Sequence, residues 1–136
     1  MSVVFVASSK TVSTWGASVG ISKSLYKVGL ADDARAAIAA MNAAGFAAAD
    51  DWKLVKAAEA GELDADDLAA RLDAAGIVVD PSYYPKLRGA SGIVRVRPET
   101  VENALLVEKA MANEANLNMK IKPADVADWL IRLALR

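Results

Sequence analysis

The chain has 136 residues, 54% hydrophobic and 24% charged, with a net charge of −1; that is apolar enough for one compact domain with a buried core and too apolar for a disordered chain. Cysteine and histidine are both absent, which excludes disulfides, thiolate nucleophiles, zinc held by thiolate or imidazole, and Ser-His catalysis. Any metal would have to be held by oxygen alone; no metal site and no cofactor is read from the residues.

The opening "MSVVFVASSK" lacks the basic leader and apolar run of a signal peptide, and no stretch approaches a membrane span, so a cytoplasmic protein with no membrane association is expected. Val3 to Ala7, "VVFVA", predicts a buried strand. The Ser/Thr/Gly-rich run "SSKTVSTWGASVGISKS" predicts a loop or a long hairpin connection, with Trp15 folded back onto the core or left as a contact residue. "LYKVGLA", Leu25 to Ala31, alternates as a second strand. Asp32 or Asp33 then caps an alanine-rich helix that stops near Gly45.

"DWKLVKA", Asp51 to Ala57, predicts a third strand, with Trp52, Leu54 and Lys56 on one side and Lys53 and Val55 on the other. A second helix follows, with Asp64 as N-cap, Asp66 and Asp67 in the first turn, Leu68 and Leu72 on one face, and Gly76 as the stop. "IVVDPSYYPKLRG" begins extended and must turn at its two prolines.

The C-terminal third repeats itself. Val94, Arg95, Val96, Arg97, Pro98 and Val101 align with Met119, Lys120, Ile121, Lys122, Pro123 and Val126 at a constant offset of 25. Each copy reads as a strand followed by a helix that starts at its proline. The second helix carries Val126, Trp129, Leu130 and Leu133 at amphipathic spacing. The expected fold is therefore α/β, with α+β as the alternative. It is a single domain over 1–136, in which a mixed sheet of four or five strands is covered by about four helices, with two similar β-α units over 91–136.

Charge is segregated along the chain: +3 over residues 1–31, −7 over 32–80, +4 over 81–97 and −1 over 98–136. Residues two apart on a strand share a face, so Arg95 and Arg97 point away from the core that takes Val94 and Val96, and Lys120 and Lys122 repeat this. If the two strands are neighbours, these four cations form one patch ringed by Lys86 and Arg88, with Tyr83 and Tyr84 either placed to stack on unpaired bases or held in the core by the two prolines. Such a patch fits a phosphate-rich partner, nucleic acid among them. Two other readings stand beside it: basic side chains protect an edge strand, or they meet acidic surfaces such as residues 59–73 in a homo-oligomer or a complex with a protein partner.

A further reading comes from "VVFVA", "LYKVGLADDARAAIAAM" and "WKLVKAAEA". Over about residues 3–60, as a β-β-α-β part, the chain resembles the opening of GIY-YIG nuclease-like domains. Tyr26, Lys27, Val28 and Gly29 stand at the second signature and Arg35 on the following helix. The resemblance implies a metal-dependent nuclease in which Tyr26 acts as base and Arg35 stabilises the phosphate, with Glu59 and Glu62 the nearest carboxylates for a metal. "VVFVA" carries no tyrosine where the first signature has one, so the constellation is incomplete. The expectation is a small non-catalytic binding domain for a phosphate-rich partner, with an assembly subunit and a divergent nuclease as the alternatives.

Overall fold

A computed structural model describes residues 2–21, 24–80, 84, 87, 90–111 and 121–135, with the backbone alone over 108–111. In chain order the elements are β1 (Val3–Ser9), α1 (Lys10–Ser18), β2 (Leu25–Ala31), α2 (Ala34–Ala44), β3 (Trp52–Glu59), α3 (Ala65–Ala75), β4 (Ile93–Arg95), α4 (Pro98–Met111) and α5 (Pro123–Leu135). The strands form one four-stranded sheet in the order β3-β1-β2-β4, and all its pairings are antiparallel. The single α/β domain expected from alternating strand and helix signals is the one found, in its antiparallel, α+β form.

Strand β1 is central, and the alternation of its side chains builds two cores. Val4 and Val6 join Tyr26, Val28, Val94 and Val96 under α3, α4 and α5. Phe5 and Ala7 join Leu25, Trp52 and Ile93 under α1 and α2. A strand covered on both faces reads as a continuous apolar run, which is why "VVFVA" shows no alternation.

Helix starts follow their caps. Asp33 Oδ1 accepts from the backbone N–H of Arg35 at 3.0 Å and of Ala36 at 3.2 Å, and Asp64 Oδ1 accepts from Asp67 N at 2.8 Å. Pro98 and Pro123 occupy the first position of α4 and α5, where no N–H donor is needed. Helix α5 buries Val126, Ala127, Leu130, Ile131 and Ala134, so it is part of the core and no appendage. No helix among the described residues is long and apolar enough to cross a membrane.

Three local expectations are corrected. The segment expected as a loop after β1 contains α1, because its N-terminal donors are satisfied by a local cap, Ser9, together with a carboxylate from far away in sequence. Ser9 Oγ accepts from Val12 N at 3.1 Å. The Asp51 carboxylate accepts from Thr11 N at 3.0 Å, from Thr11 Oγ1 at 2.9 Å and from Ser9 Oγ. The second correction is a bulge: β3 pairs Val6 with Lys56 but Ala7 with Leu54, which leaves Val55 as the extra residue. The bulge moves Lys56 off the side of Trp52 and Leu54, and Lys56 forms an ion pair with Asp128 of α5.

Third, β4 ends at Arg95, so Arg97 lies beyond the strand. In the second repeat Ile121 and Lys122 form no strand; Met119 and Lys120 lie outside the described residues. The helical halves of the two copies do correspond, with Val101 and Val126 both buried. Trp15 folds back, meeting Tyr84 edge-to-face with ring centroids 5.6 Å apart.

Candidate binding site at the basic end of the sheet

Antiparallel pairing decides where the charges go. Ser9 pairs with Trp52, and Leu25 pairs with Arg95. The end of β1, the starts of β2 and β3, and the end of β4 therefore share one end of the sheet. Lys10, Lys53, Arg95 and Arg97 are exposed there. Pro123 lines a cleft of about 390 Å³ with Ser8, Ser9, Lys10, Tyr26 and Lys53, which brings the exposed Lys122 to the same end. None of these five cations has an ion-pair partner among the described residues.

The opposite end is acidic. Val3 pairs with both Ala31 and Glu59, so Asp32, Asp33, Glu59 and Glu62 gather there with the acidic first turn of α3, Asp66 and Asp67. The segregation seen along the chain thus becomes a separation of charge across the domain. Three helices, α1, α4 and α5, begin at the basic end, where backbone N–H groups add partial positive charge. Each is partly compensated: α1 by Asp51, α4 by Glu99 and α5 by Asp125.

Asp51 is the most engaged of these acids. Its hydrogen bond from Ser9, with further ones from Thr11, holds its carboxyl below the ordinary carboxylate range against a smaller opposing effect of burial. A depressed folded pKa means stability that is present above the unfolded value and lost as pH falls through the folded one. Asp51→Ala is expected to cost about 1 kcal/mol at neutral pH, the usual effect of a lost cap. Acid titration of both proteins should show the gap narrowing below 3.8, the ordinary aspartate value. A gap that is constant with pH would mean that the charge of Asp51 is not what holds α1.

Beside the basic end, Arg95 and Arg97 line a cleft of about 280 Å³ with Ile77, Thr100, Trp129 and Leu133. Val94 and Val96 are buried, as alternation demands, and both arginines are exposed. Trp129, expected on the core-facing side of α5, is half-buried and forms part of this cleft as well. Lys122 stands seven residues before it, about two helical turns away. Of the other residues expected in the patch, Lys86, Arg88 and Lys120, together with Tyr83, lie outside the described residues. Tyr84 is engaged with Trp15 in the opposite core cluster.

The nuclease-like pair is not brought together. Tyr26 is buried in the core under α3–α5, whereas Arg35 is exposed on α2, which packs on the other face of the sheet. Burial also pushes the Tyr26 hydroxyl above its ordinary pKa, keeping it protonated. Glu59 and Glu62 are exposed at the acidic end. Among the described residues no group of three or more carboxylates is placed to share a metal ion. Comparison of the chain with protein-family models, with curated proteins and with solved structures finds no match.

Proposed function

We propose that this chain is a binding domain for a phosphate-rich partner, single-stranded nucleic acid being the best fit, engaged at the basic end of the sheet. The observation that carries this reading is the cleft in which Arg95 and Arg97 stand beside the half-buried Trp129. An indole face takes any base by stacking, and two guanidinium groups beside it suit the flanking phosphates. At about 280 Å³ the cleft is slightly below the roughly 300 Å³ of small-ligand sites. A single base suits it better than a whole cofactor. Lys10, Lys53 and Lys122 extend the positive surface along the path a backbone would follow.

The test is fluorescence titration with oligo(dT) over a range of salt. Arg95→Gln with Arg97→Gln is expected to weaken binding. It should also lower the slope of log affinity against log salt by about 1.4, since each single-strand phosphate contact contributes roughly 0.7. An unchanged slope and affinity in a folded double variant would overturn the reading.

A second reading has its own observation. The basic end of one copy is complementary to the acidic end of another, and such head-to-tail contacts are heterologous and build rings or filaments. Mass growing with concentration at low salt, and abolished by the same double substitution without any effect of oligo(dT), would favour assembly.

A further inference from the structure

Lys27 belongs to neither end of the sheet. It lies mid-strand on β2, where the pleat turns its side chain toward Phe5 and Phe46. Its Nζ donates to the Ser91 carbonyl at 2.6 Å and stands 5.0 Å from the centre of the Phe46 ring. Two glycines make room for it. A Cβ on Gly29 would lie 3.1 Å from Lys27 Cε, and one on Gly92 would lie 2.8 Å from Nζ. Gly92 also has φ +76°, a backbone conformation that side chains disfavour. The sequence thus leaves a slot that the lysine stem fills.

Lys27 also lines a cleft at the sheet edge, together with the Ser91 and Gly92 that its ammonium approaches. The ladder of β4 with β2 covers Leu25, Tyr26 and Lys27 and is extended by one hydrogen bond from Val28 N to the Gly92 carbonyl; beyond that point the edge of β2 faces α3 across an opening of about 420 Å³. Leu30, Leu68, Leu72 and Val78 supply apolar walls, and Lys27, Ser91 and Gly92 stand at one side. An ammonium has three donors; one is taken by the Ser91 carbonyl, and the Phe46 ring offers only a weak acceptor. No carboxylate forms an ion pair with Lys27 among the described residues. A partly desolvated cation without a counter-charge, beside an apolar cleft of small-ligand size, fits an anion carried on an apolar body.

We propose that the cleft beside Lys27 binds a small monocarboxylate with an apolar chain, the carboxylate meeting the Lys27 ammonium and the chain lying between β2 and α3. Asp73 also lines the cleft, and its charge disfavours a second anionic group on the ligand. Burial lowers the Lys27 pKa to about 8, so the cationic form that binds the carboxylate predominates at neutral pH and is lost as pH rises through that value.

The probes are hexanoate, octanoate and decanoate, each set against the alcohol of the same length, with binding followed by calorimetry or by amide chemical shifts. At pH 7 the carboxylates are expected to bind about tenfold or more tightly than the alcohols, as a charge-assisted hydrogen bond implies. The preference should fade by pH 9.5 and vanish in Lys27→Met. Ala69→Trp, at an exposed position of α3 that lines the cleft, should block carboxylate and alcohol alike without lowering the melting temperature. Equal affinity for carboxylate and alcohol, a preference that survives Lys27→Met, or no binding of any probe at millimolar concentration would each overturn the proposal.

Discussion

Leu130→Ala is expected to destabilise the protein by about 3–5 kcal/mol, the range for a fully buried leucine whose surroundings cannot collapse into the cavity. Leu130 is 0% exposed. It sits where α5 crosses the inner face of the sheet, in one cluster with Val4 and Val6 of β1 and with Leu68 and Leu72 of α3. Neighbours drawn from a central strand and from a second helix are fixed by their own packing, so relaxation into the void is small. Small domains are stable by only about 5–15 kcal/mol, so this one side chain accounts for a large share. Denaturant unfolding followed by tryptophan fluorescence should show a lower midpoint with an unchanged slope. A loss below about 1 kcal/mol would show α5 to be a dispensable cover rather than part of the core.

Gly92→Ala is expected to cost about 2–4 kcal/mol, well above the roughly 1 kcal/mol of an ordinary glycine replaced at positive φ. Two effects add here. The backbone is at φ +76°, and the new Cβ would stand 2.5 Å from the Val28 carbonyl oxygen. That oxygen belongs to the strand, and Val28 N donates to the Gly92 carbonyl at 2.9 Å, so relief requires separating β4 from β2. Gly20 is the control. Its φ is +81° but nothing lies within 4 Å of a Cβ placed there, so Gly20→Ala should show the conformational effect alone. Equal losses in thermal melts of the two variants would mean that close approach at Gly92 contributes nothing. The Gly92 variant should also lose the carboxylate preference, because Nζ of Lys27 would be displaced.

Interactions within one turn or one strand were legible in the residues. Leu25–Ala31 is bounded as its alternation indicates. Asp33 and Asp64 cap the helices they precede, and Gly45 and Gly76 follow the last helical residue of α2 and α3. Pro98 and Pro123 start α4 and α5. In each case the deciding partner lies within about four residues, so composition and spacing carry the information. The candidate arginines were legible for the same reason, since period-two alternation turns Arg95 away from the core that takes Val94 and Val96.

What tertiary structure decided is what depends on partners far along the chain. Helix α1 forms in a run of Ser, Thr and Gly whose local propensity points to a loop; its N-cap Ser9 is local, but the Asp51 carboxylate that takes Thr11 N and holds the Ser9 hydroxyl comes from forty residues on. The bulge at Val55 turns Lys56 toward Asp128, and no pattern inside β3 announces it, because the mismatch is with β1. Trp129 joins Arg95 and Arg97 in one cleft only because α5 packs on the face of the sheet that buries Val94 and Val96. Lys27, read from the strand as one more residue of "LYKVGLA", lines a cleft because the pairing of β2 with the β4 segment stops at Val28 and Gly92. Residue pattern alone was enough for β1, β2, the caps and stops of α2 and α3 and the proline starts of α4 and α5, since those energies are local. Only the pairing order and register of the strands decided which distant charges and rings meet, because antiparallel packing, and not adjacency in the chain, sets which ends lie together.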